Sequence, residues 1–168
     1  MHRSSAAVAL ALLTVAVVAD QLTKAWVRTT FHVGESLHIG GPVNLTYVEN
    51  AGAVFGIGQG YFVIPTIATV LILIALPLII RHLKARCGYM LTKLEAACVG
   101  LIAGGAVGNL IDRLTRSAVT DFVDIELFPD FHWPAFNVAD SCVVVATIML
   151  FIVLVRHGSH EVEHHATS

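Results

Sequence analysis

Apolar residues in this chain fall into four long runs. A bilayer core of about 30 Å is crossed by about 20 apolar residues in helical form. The second run carries no charge, whereas Asp20 and Lys24 interrupt the first and Asp140 interrupts the fourth. The pattern predicts an all-α membrane protein with four transmembrane helices. They cover about 5–26, 61–80, 94–111 and 136–155.

The first run has a second interpretation. Arg3, the apolar residues 6–19 and the small Ala19 together resemble a cleaved secretory signal peptide, which would leave three spans. The apolar pattern continues past Asp20 as far as Trp26, and this favours a retained helix.

Composition supports a lipid environment. Apolar residues make up 56% of the 168 residues and charged residues 13%, with a mean hydropathy of +0.77. Soluble domains are about one-quarter charged, so this chain could not cover a water-facing surface. The net charge of -2 implies no nucleic-acid partner. The three cysteines are too widely spaced for a disulfide framework. We expect one domain over 1–156 and a polar tail over 157–168.

Basic residues predict the orientation, because Lys and Arg favour short cytoplasmic loops. The compact loop between the second and third spans holds most of the bias. One side would carry Arg3, Arg81, Lys84, Arg86, Lys93 and Arg156, and the other Lys24, Arg28, Arg113 and Arg116. We therefore expect both termini in the cytoplasm and the loops 27–60 and 112–135 outside.

The segments around the spans give further expectations. Alternation over 43–48 predicts a short strand, and hence a small extracytoplasmic β-sheet element. Pro65 and Pro77 are expected near the ends of the second helix, where lost backbone bonds cost least. The tail is expected to be disordered. Its four histidines could bind metal, although a solvated tail is the preferred interpretation.

Polar residues cluster at one predicted membrane face. Charged groups at membrane depth are costly and commonly mark function. Asp20 and Lys24 are four residues apart, so they share a helix face and can pair. In the predicted topology the polar residues at the outer ends of the spans and in the outer loops are Asp20, Lys24, Asn50, Asn109, Asp112, Arg113, Asp121, Asn137 and Asp140.

Asp121 and Asp140 are the candidates for chemistry. Two carboxyl groups held close together share one proton, so one can activate water while the other polarises a carbonyl oxygen. The sequence contains no Gly-x-Ser-x-Gly elbow and no His-Glu-x-x-His motif. The pattern favours an aspartyl hydrolase without a metal or other cofactor.

Two other functions stay open. A proton-coupled carrier would also use intramembrane acids, but near the midplane and often in inverted repeats. A non-catalytic assembly protein would use the same acids to pair helices.

Glycines form a stripe along the third span. Gly100, Gly104 and Gly108 are spaced four residues apart, as in the small-xxx-small faces of closely packed membrane helices. This spacing predicts a close neighbour for the third helix, near Asn109 and Asp112.

Five motifs occur in order along the chain, and together they resemble the lipoprotein signal peptidase family, also called signal peptidase II. They are DQLTK at 20–24, NAGAVFG at 50–56, GGAVGNLIDR at 104–113, VTDF at 119–122 and FNVADS at 136–141. The resemblance covers nearly the whole chain except the termini and the loop 81–93.

The resemblance implies a bacterial plasma-membrane aspartyl endopeptidase that acts at the extracytoplasmic face. Its substrates would be diacylglyceryl-modified prolipoproteins, cleaved before the lipidated cysteine. The catalytic dyad of the family corresponds to Asp121 and Asp140. A monomer among membrane lipids would suffice, and a small sheet and a short helix are expected within 27–60. The residues that would bind substrate or support the site are Asp20, Lys24, Asn50, Gly52, Gly108, Asn109, Asp112, Arg113 and Asn137.

Overall fold

A computed structural model describes residues 3–52, 63–129 and 131–166. Over these residues, four helices are long and apolar enough to cross a membrane. They are α1 (Arg3–Thr30), α2 (Val63–Cys87), α3 (Lys93–Arg116) and α4 (Val138–Ala166). The prediction of a four-helix membrane protein is confirmed, and α1 passes unbroken through the predicted cleavage point.

The helices extend further than the apolar runs indicate. Because α2 continues to Cys87, Pro77 lies inside the helix and not near its end. The expectation of a disordered tail is wrong for 157–166, because α4 continues to Ala166. Extending an existing helix adds one hydrogen bond per residue fixed, which is far cheaper than starting a new one.

A four-stranded antiparallel sheet lies between the helices in sequence. Its strands are β1 (Ser36–Gly40), β2 (Val43–Asn50), β3 (Val119–Phe128) and β4 (Phe131–Phe136), in the order β1-β2-β3-β4. The strand expected over 43–48 is confirmed as part of β2. The short helix expected within 27–60 is not found over 31–52, and residues 53–60 lie outside the described part of the chain.

The segment 112–135 is not a simple loop. Its first residues complete α3 as far as Arg116, and the rest forms the β3–β4 hairpin. Consecutive residues of β3 from Val119 to Phe122 are all buried. A strand covered on both faces lacks the alternation by which strands are recognised in sequence, so the hairpin was missed.

The glycine stripe of α3 packs against α1, as predicted. A side chain at Gly100 would collide with the carbonyl oxygen of Ala9, and a Cβ at Gly104 would lie 2.7 Å from the Cβ of Ala16. Gly105 lies on another face of α3, against Ala139 of α4. The small residues therefore allow both neighbouring helices to approach α3 closely.

The N-terminus of α3 is closed by a capping box. The side chain of Thr92 accepts from the backbone N–H of Glu95 at 3.2 Å, and the Thr92 N–H donates to Glu95 Oε2 at 2.8 Å. Glu95 is fully buried, and its carboxylate satisfies the helix end.

A small apolar core joins α1 to the sheet. Val27, near the end of α1, packs with Tyr47 of β2 and Phe122 of β3, and all three are buried. Phe31, Leu45, Val123 and Val138 surround them. This core fixes the sheet against the ends of α1 and α4 where the predicted site residues lie.

Candidate active site

Asp121 and Asp140 are brought together by one asparagine. Asp121 lies on β3 and is 2% exposed, whereas Asp140 is half-buried in the first turn of α4. Asn137 Nδ2 donates to Asp121 Oδ1 at 2.7 Å, and its backbone N–H donates to Asp140 Oδ2 at 3.2 Å. The two carboxyl groups predicted to act together thus share a hydrogen-bond donor residue.

Asn137 also caps α4. Its Oδ1 accepts from the backbone N–H of Asp140 at 3.0 Å, while the backbone N–H of Asn137 donates to the Asp140 carboxylate. This reciprocal pair is a capping box over the four residues 137–140, with Asn and Asp in the places usually taken by Ser and Glu. The helix end itself therefore holds Asp140 in position.

Asn109 supplies the second donor to Asp140. Its Nδ2 donates to Asp140 Oδ1 at 2.7 Å, and its Oδ1 accepts from Lys24 Nζ at 2.8 Å. Asn109 Oδ1 also accepts from Asn137 Nδ2 at 3.1 Å. Both oxygens of Asp140 thus accept hydrogen bonds from N–H donors.

A cluster of buried charges lies beneath this layer. Lys24 is completely buried and its Nζ lies 2.9 Å from Asp20 Oδ2 and 3.3 Å from Asp112 Oδ2. Asp20 Oδ1 accepts from the backbone N–H of Ala139 at 3.0 Å, at the start of α4. Buried charges need such partners, since an unpaired one would cost several kcal/mol. The cluster connects α1, α3 and α4.

Gly108 allows α3 to pass close to this cluster. A Cβ at this position would lie 2.5 Å from Asp20 Oδ2. Of the site residues predicted from the sequence, Gly108 contributes by its lack of a side chain.

Asn50 and Gly52 form the other edge of the site. Asn50 Nδ2 donates to Asp121 Oδ2 at 2.9 Å, and Asn50 Oδ1 accepts from the backbone N–H of Gly52 at 3.0 Å. Asn50 was expected to bind substrate or support the site, and the structure gives it a contact with Asp121 of the dyad. The remainder of this motif, 53–56, lies outside the described residues.

Arg113 of α3 is half-buried, and its charge interacts with the carboxylates of Asp121 and Asp140. Its Nη1 donates to Thr69 Oγ1 of α2 at 3.4 Å. Asp112 and Arg113 were expected at a helix exit. They lie within the last turns of α3, because the helix continues to Arg116.

Burial, and to a smaller extent the neighbouring charge of Asp140, raise the pKa of Asp121 to about 7. Hydrogen bonds from Asn50 and Asn137 oppose this rise but do not cancel it. A carboxyl group with such a pKa holds a proton near neutrality, as one member of an aspartyl dyad must.

Three residues of the network were not among the predicted site residues. Arg28 Nη1 donates to Thr120 Oγ1 at 3.1 Å, and the Thr120 N–H donates to Asp112 Oδ2 at 3.0 Å. Gln21 Nε2 donates to Asp20 Oδ2 at 3.1 Å. Helical spacing offered a signal for Arg28, which lies four residues after Lys24 on the same face of α1.

Within the part of the chain that the structure describes, no group of three or more His, Cys, Asp or Glu side chains is placed to hold a metal ion.

A family model described as "Signal peptidase (SPase) II" matches residues 12–156. The lipoprotein signal peptidase of Syntrophomonas wolfei is 41% identical over 146 residues, which cover 86% of this chain and 91% of that protein. The corresponding protein of Moorella thermoacetica is 42% identical over 142 residues, which cover 84% of this chain and 87% of the relative.

A solved structure shares the fold. It is a bacterial membrane enzyme determined by the in meso method at 2.3 Å, with 33% identity and a TM-score of 0.75 over 90% of each chain. The matching family model and the named relatives are peptidases, and they give the carrier interpretation no support. Since the family match extends over most of the chain, this multi-pass membrane protein is a protease that belongs to the signal peptidase II family.

Proposed function

We propose that this chain removes signal peptides from diacylglyceryl-modified prolipoproteins, with Asp121 and Asp140 as an aspartyl dyad. The relatives are named lipoprotein signal peptidases, which supports the substrate class. The observation that carries the proposal is the position of Asn137, which donates to Asp121 Oδ1 at 2.7 Å and to Asp140 Oδ2 at 3.2 Å.

The two carboxyl groups start the reaction in different states. Asp121 is the more deeply buried and carries the proton. Asp140 accepts two N–H bonds and lies in the first turn of α4, where the helix dipole favours a negative charge. The environments of the two acids therefore assign the general base to Asp140 and the general acid to Asp121.

Hydrolysis then follows from these roles. Asp140 takes a proton from water, and the resulting hydroxide attacks the carbonyl carbon before the lipidated cysteine. Asp121 gives its proton to the carbonyl oxygen, which forms a tetrahedral diol. When the C–N bond breaks, Asp140 returns a proton to the leaving amine and a diol proton returns to Asp121. Arg113 is suited to hold a substrate carbonyl oxygen beside the dyad.

The dyad and the sheet face the extracytoplasmic side in this proposal, with both termini in the cytoplasm. A monomer surrounded by membrane lipids suffices, because the residues of the network come from one chain. The lipid chains of the substrate remain in the bilayer while the scissile bond reaches the ends of α3 and α4.

Cleavage of a defined substrate tests the proposal. Purified protein in detergent is incubated, with a chelator present, with a diacylglyceryl-modified prolipoprotein, and products are separated on a gel. Asp140→Asn should lower the rate by at least about a thousandfold while the melting temperature stays within a few degrees of wild type. Near-normal cleavage by Asp140→Asn would remove the dyad from the mechanism, and cleavage that stops with chelator would require a metal.

Glu49→Gln is the matched control for the loss of one carboxylate. Glu49 is exposed on β2, next to Asn50 in sequence, and accepts from the Tyr47 hydroxyl at 2.9 Å. A glutamine can keep that hydrogen bond. The variant should cleave at the wild-type rate.

A further inference from the structure

Strand β2 connects the dyad to a second acid of β3. Asn50 donates to Asp121 Oδ2 at 2.9 Å, and Thr46 Oγ1 donates to Asp124 Oδ2 at 3.0 Å. Val48 lies between these two positions and pairs directly with Asp121.

A bulge in β2 lies between these contacts. The register between β2 and β3 shifts between Leu45 and Val48, so two residues of β2 oppose one of β3. Bulges re-aim the side chains of the bulged strand, and Thr46 and Val48 both line one groove.

The groove that Thr46 and Val48 line is open and has a volume of about 480 Å³. Val48, which pairs directly with Asp121, forms the end nearest the dyad. The groove is lined by Ser36, Thr46, Val48, Asp124, His132, Trp133, Pro134 and Ala135.

Hydrogen bonds in the groove have a fixed direction. An ionised carboxylate only accepts, so the Thr46 hydroxyl and His132 Nδ1 must both donate to Asp124, at 3.0 and 2.8 Å. Since the Thr46 hydrogen is used, the hydroxyl of Ser36 must donate to Thr46 Oγ1, at 2.8 Å. This leaves Ser36 Oγ and, in the neutral imidazole, His132 Nε2 as acceptors. The groove thus presents acceptors around one carboxylate.

We propose that this groove binds the first residues of the mature polypeptide, immediately after the lipidated cysteine, and that it prefers basic or other donor-bearing residues there. The inference rests on the proposed function. A basic side chain would meet the acceptors and the Asp124 charge, and the half-exposed ring of Trp133 offers a surface for a cation.

The other side of the scissile bond fits this groove poorly. The signal peptide of a substrate is apolar, so we expect it to pack against the membrane-spanning helices and the lipid. An apolar segment in this groove would leave the acceptors Ser36 Oγ and His132 Nε2 without donors.

Three lipidated peptides test the inference. Two are identical except that Lys-Lys or Glu-Glu follows the lipidated cysteine, and the third ends at that cysteine as an amide. Wild type should cleave the Lys peptide with a kcat/KM on the order of tenfold above the Glu peptide, mainly through KM. Asp124→Asn should reduce this preference to about twofold or less, and it should leave cleavage of the truncated peptide unchanged.

Glu49→Gln serves again as the control, because it removes the same charge at an exposed residue of β2 that does not line the groove. It should keep the Lys preference. An equal loss on all three peptides in Asp124→Asn would indicate a merely structural role and would overturn the inference. So would cleavage of all three by wild type without preference, whereas failure of wild type to cleave any would overturn the proposed function as well.

Discussion

At the scale of single residues, a lysine determines how two asparagines point. An ammonium group only donates, so the Asn109 atom 2.8 Å from Lys24 Nζ must be the amide oxygen. Asn109 Nδ2 is then directed at Asp140, and its oxygen attracts Asn137 Nδ2. Lys24 therefore acts on the dyad through two amides without touching either carboxylate. A buried positive charge could thus support the reaction proposed for the two acids.

The pKa of Asp121 predicts how activity depends on pH. Below its raised pKa of about 7 this carboxyl group keeps the proton that it donates to the substrate carbonyl, and above that pH the proton is lost. The kcat/KM should therefore fall by about tenfold per pH unit above pH 7. A pH–rate profile with a fluorescent lipidated peptide measures this alkaline limb.

Asn50→Ala tests the direction in which the alkaline limb of the pH–rate profile should move. The hydrogen bond from Asn50 lowers the pKa of Asp121, so removing it should raise that pKa and move the alkaline limb to higher pH. The Glu49→Gln control should leave the limb in place. A limb that stays fixed or moves to lower pH in Asn50→Ala would contradict the role given to Asp121.

At the scale of secondary-structure elements, α3 holds the site together because two other helices lie close to it. Its glycines admit α1 on one face and α4 on another, and its last turns carry Asn109 and Asp112 into the charge cluster. Apolar surface gives little drive for helix association in lipid, so close packing and buried polar contacts must supply it. The catalytic network and the helix packing are thus one set of contacts.

Gly108→Ala should damage both stability and activity. Its Cβ would lie 2.5 Å from Asp20 Oδ2, which would displace the carboxylate from Lys24 and from the N-terminus of α4. Overpacking of this kind costs about 2 kcal/mol, or a melting temperature lower by roughly 4–8 °C in a protein of this size. Thermal unfolding in detergent measures the first effect and peptide cleavage the second.

Leu114→Ala is the control for Gly108→Ala. Leu114 is 72% exposed on the same helix, so its truncation should change the melting temperature by less than about 2 °C. If Gly108→Ala melted and cleaved like wild type, α3 and α1 would not meet as closely as the structure indicates.

At the scale of the whole molecule, the sequence predicted the helices better than the sheet. Apolar runs of about 20 residues identify spans directly, and the glycine spacing correctly predicted a close helix contact. The β3–β4 hairpin was missed because its residues are buried in succession. Other missed features join distant positions, such as Asp20 with the Ala139 N–H, 119 residues later. Local patterns contain no information about such contacts.

The site residues were predictable for a different reason. Of the nine supporting residues, all but Gly52 and Gly108 belong to the polar cluster at one predicted membrane face, and the family resemblance gave all nine their supporting role. The structure places Asp20, Lys24, Asn109, Asp112 and Asn137 in one continuous hydrogen-bonded network. Their partners, including Arg28 and Thr120, follow only from the folded chain. Residue identity could thus be predicted, whereas the direction of each hydrogen bond required the structure.

The orientation of the molecule in the membrane is the last prediction. Lys24 is neutralised by Asp20 and Asp112 inside the protein, so it adds little to the outer positive charge. The remaining bias favours a cytoplasmic loop between α2 and α3 and places the sheet outside.

In a cysteine-free background, Leu37→Cys on β1 should react with a membrane-impermeant thiol reagent in intact cells. His82→Cys should react only after the membrane is permeabilised. Both positions are exposed in the structure, so a protected thiol would reflect the membrane and not the fold. The reverse labelling pattern would put the dyad in the cytoplasm, where it could not meet the proposed substrates.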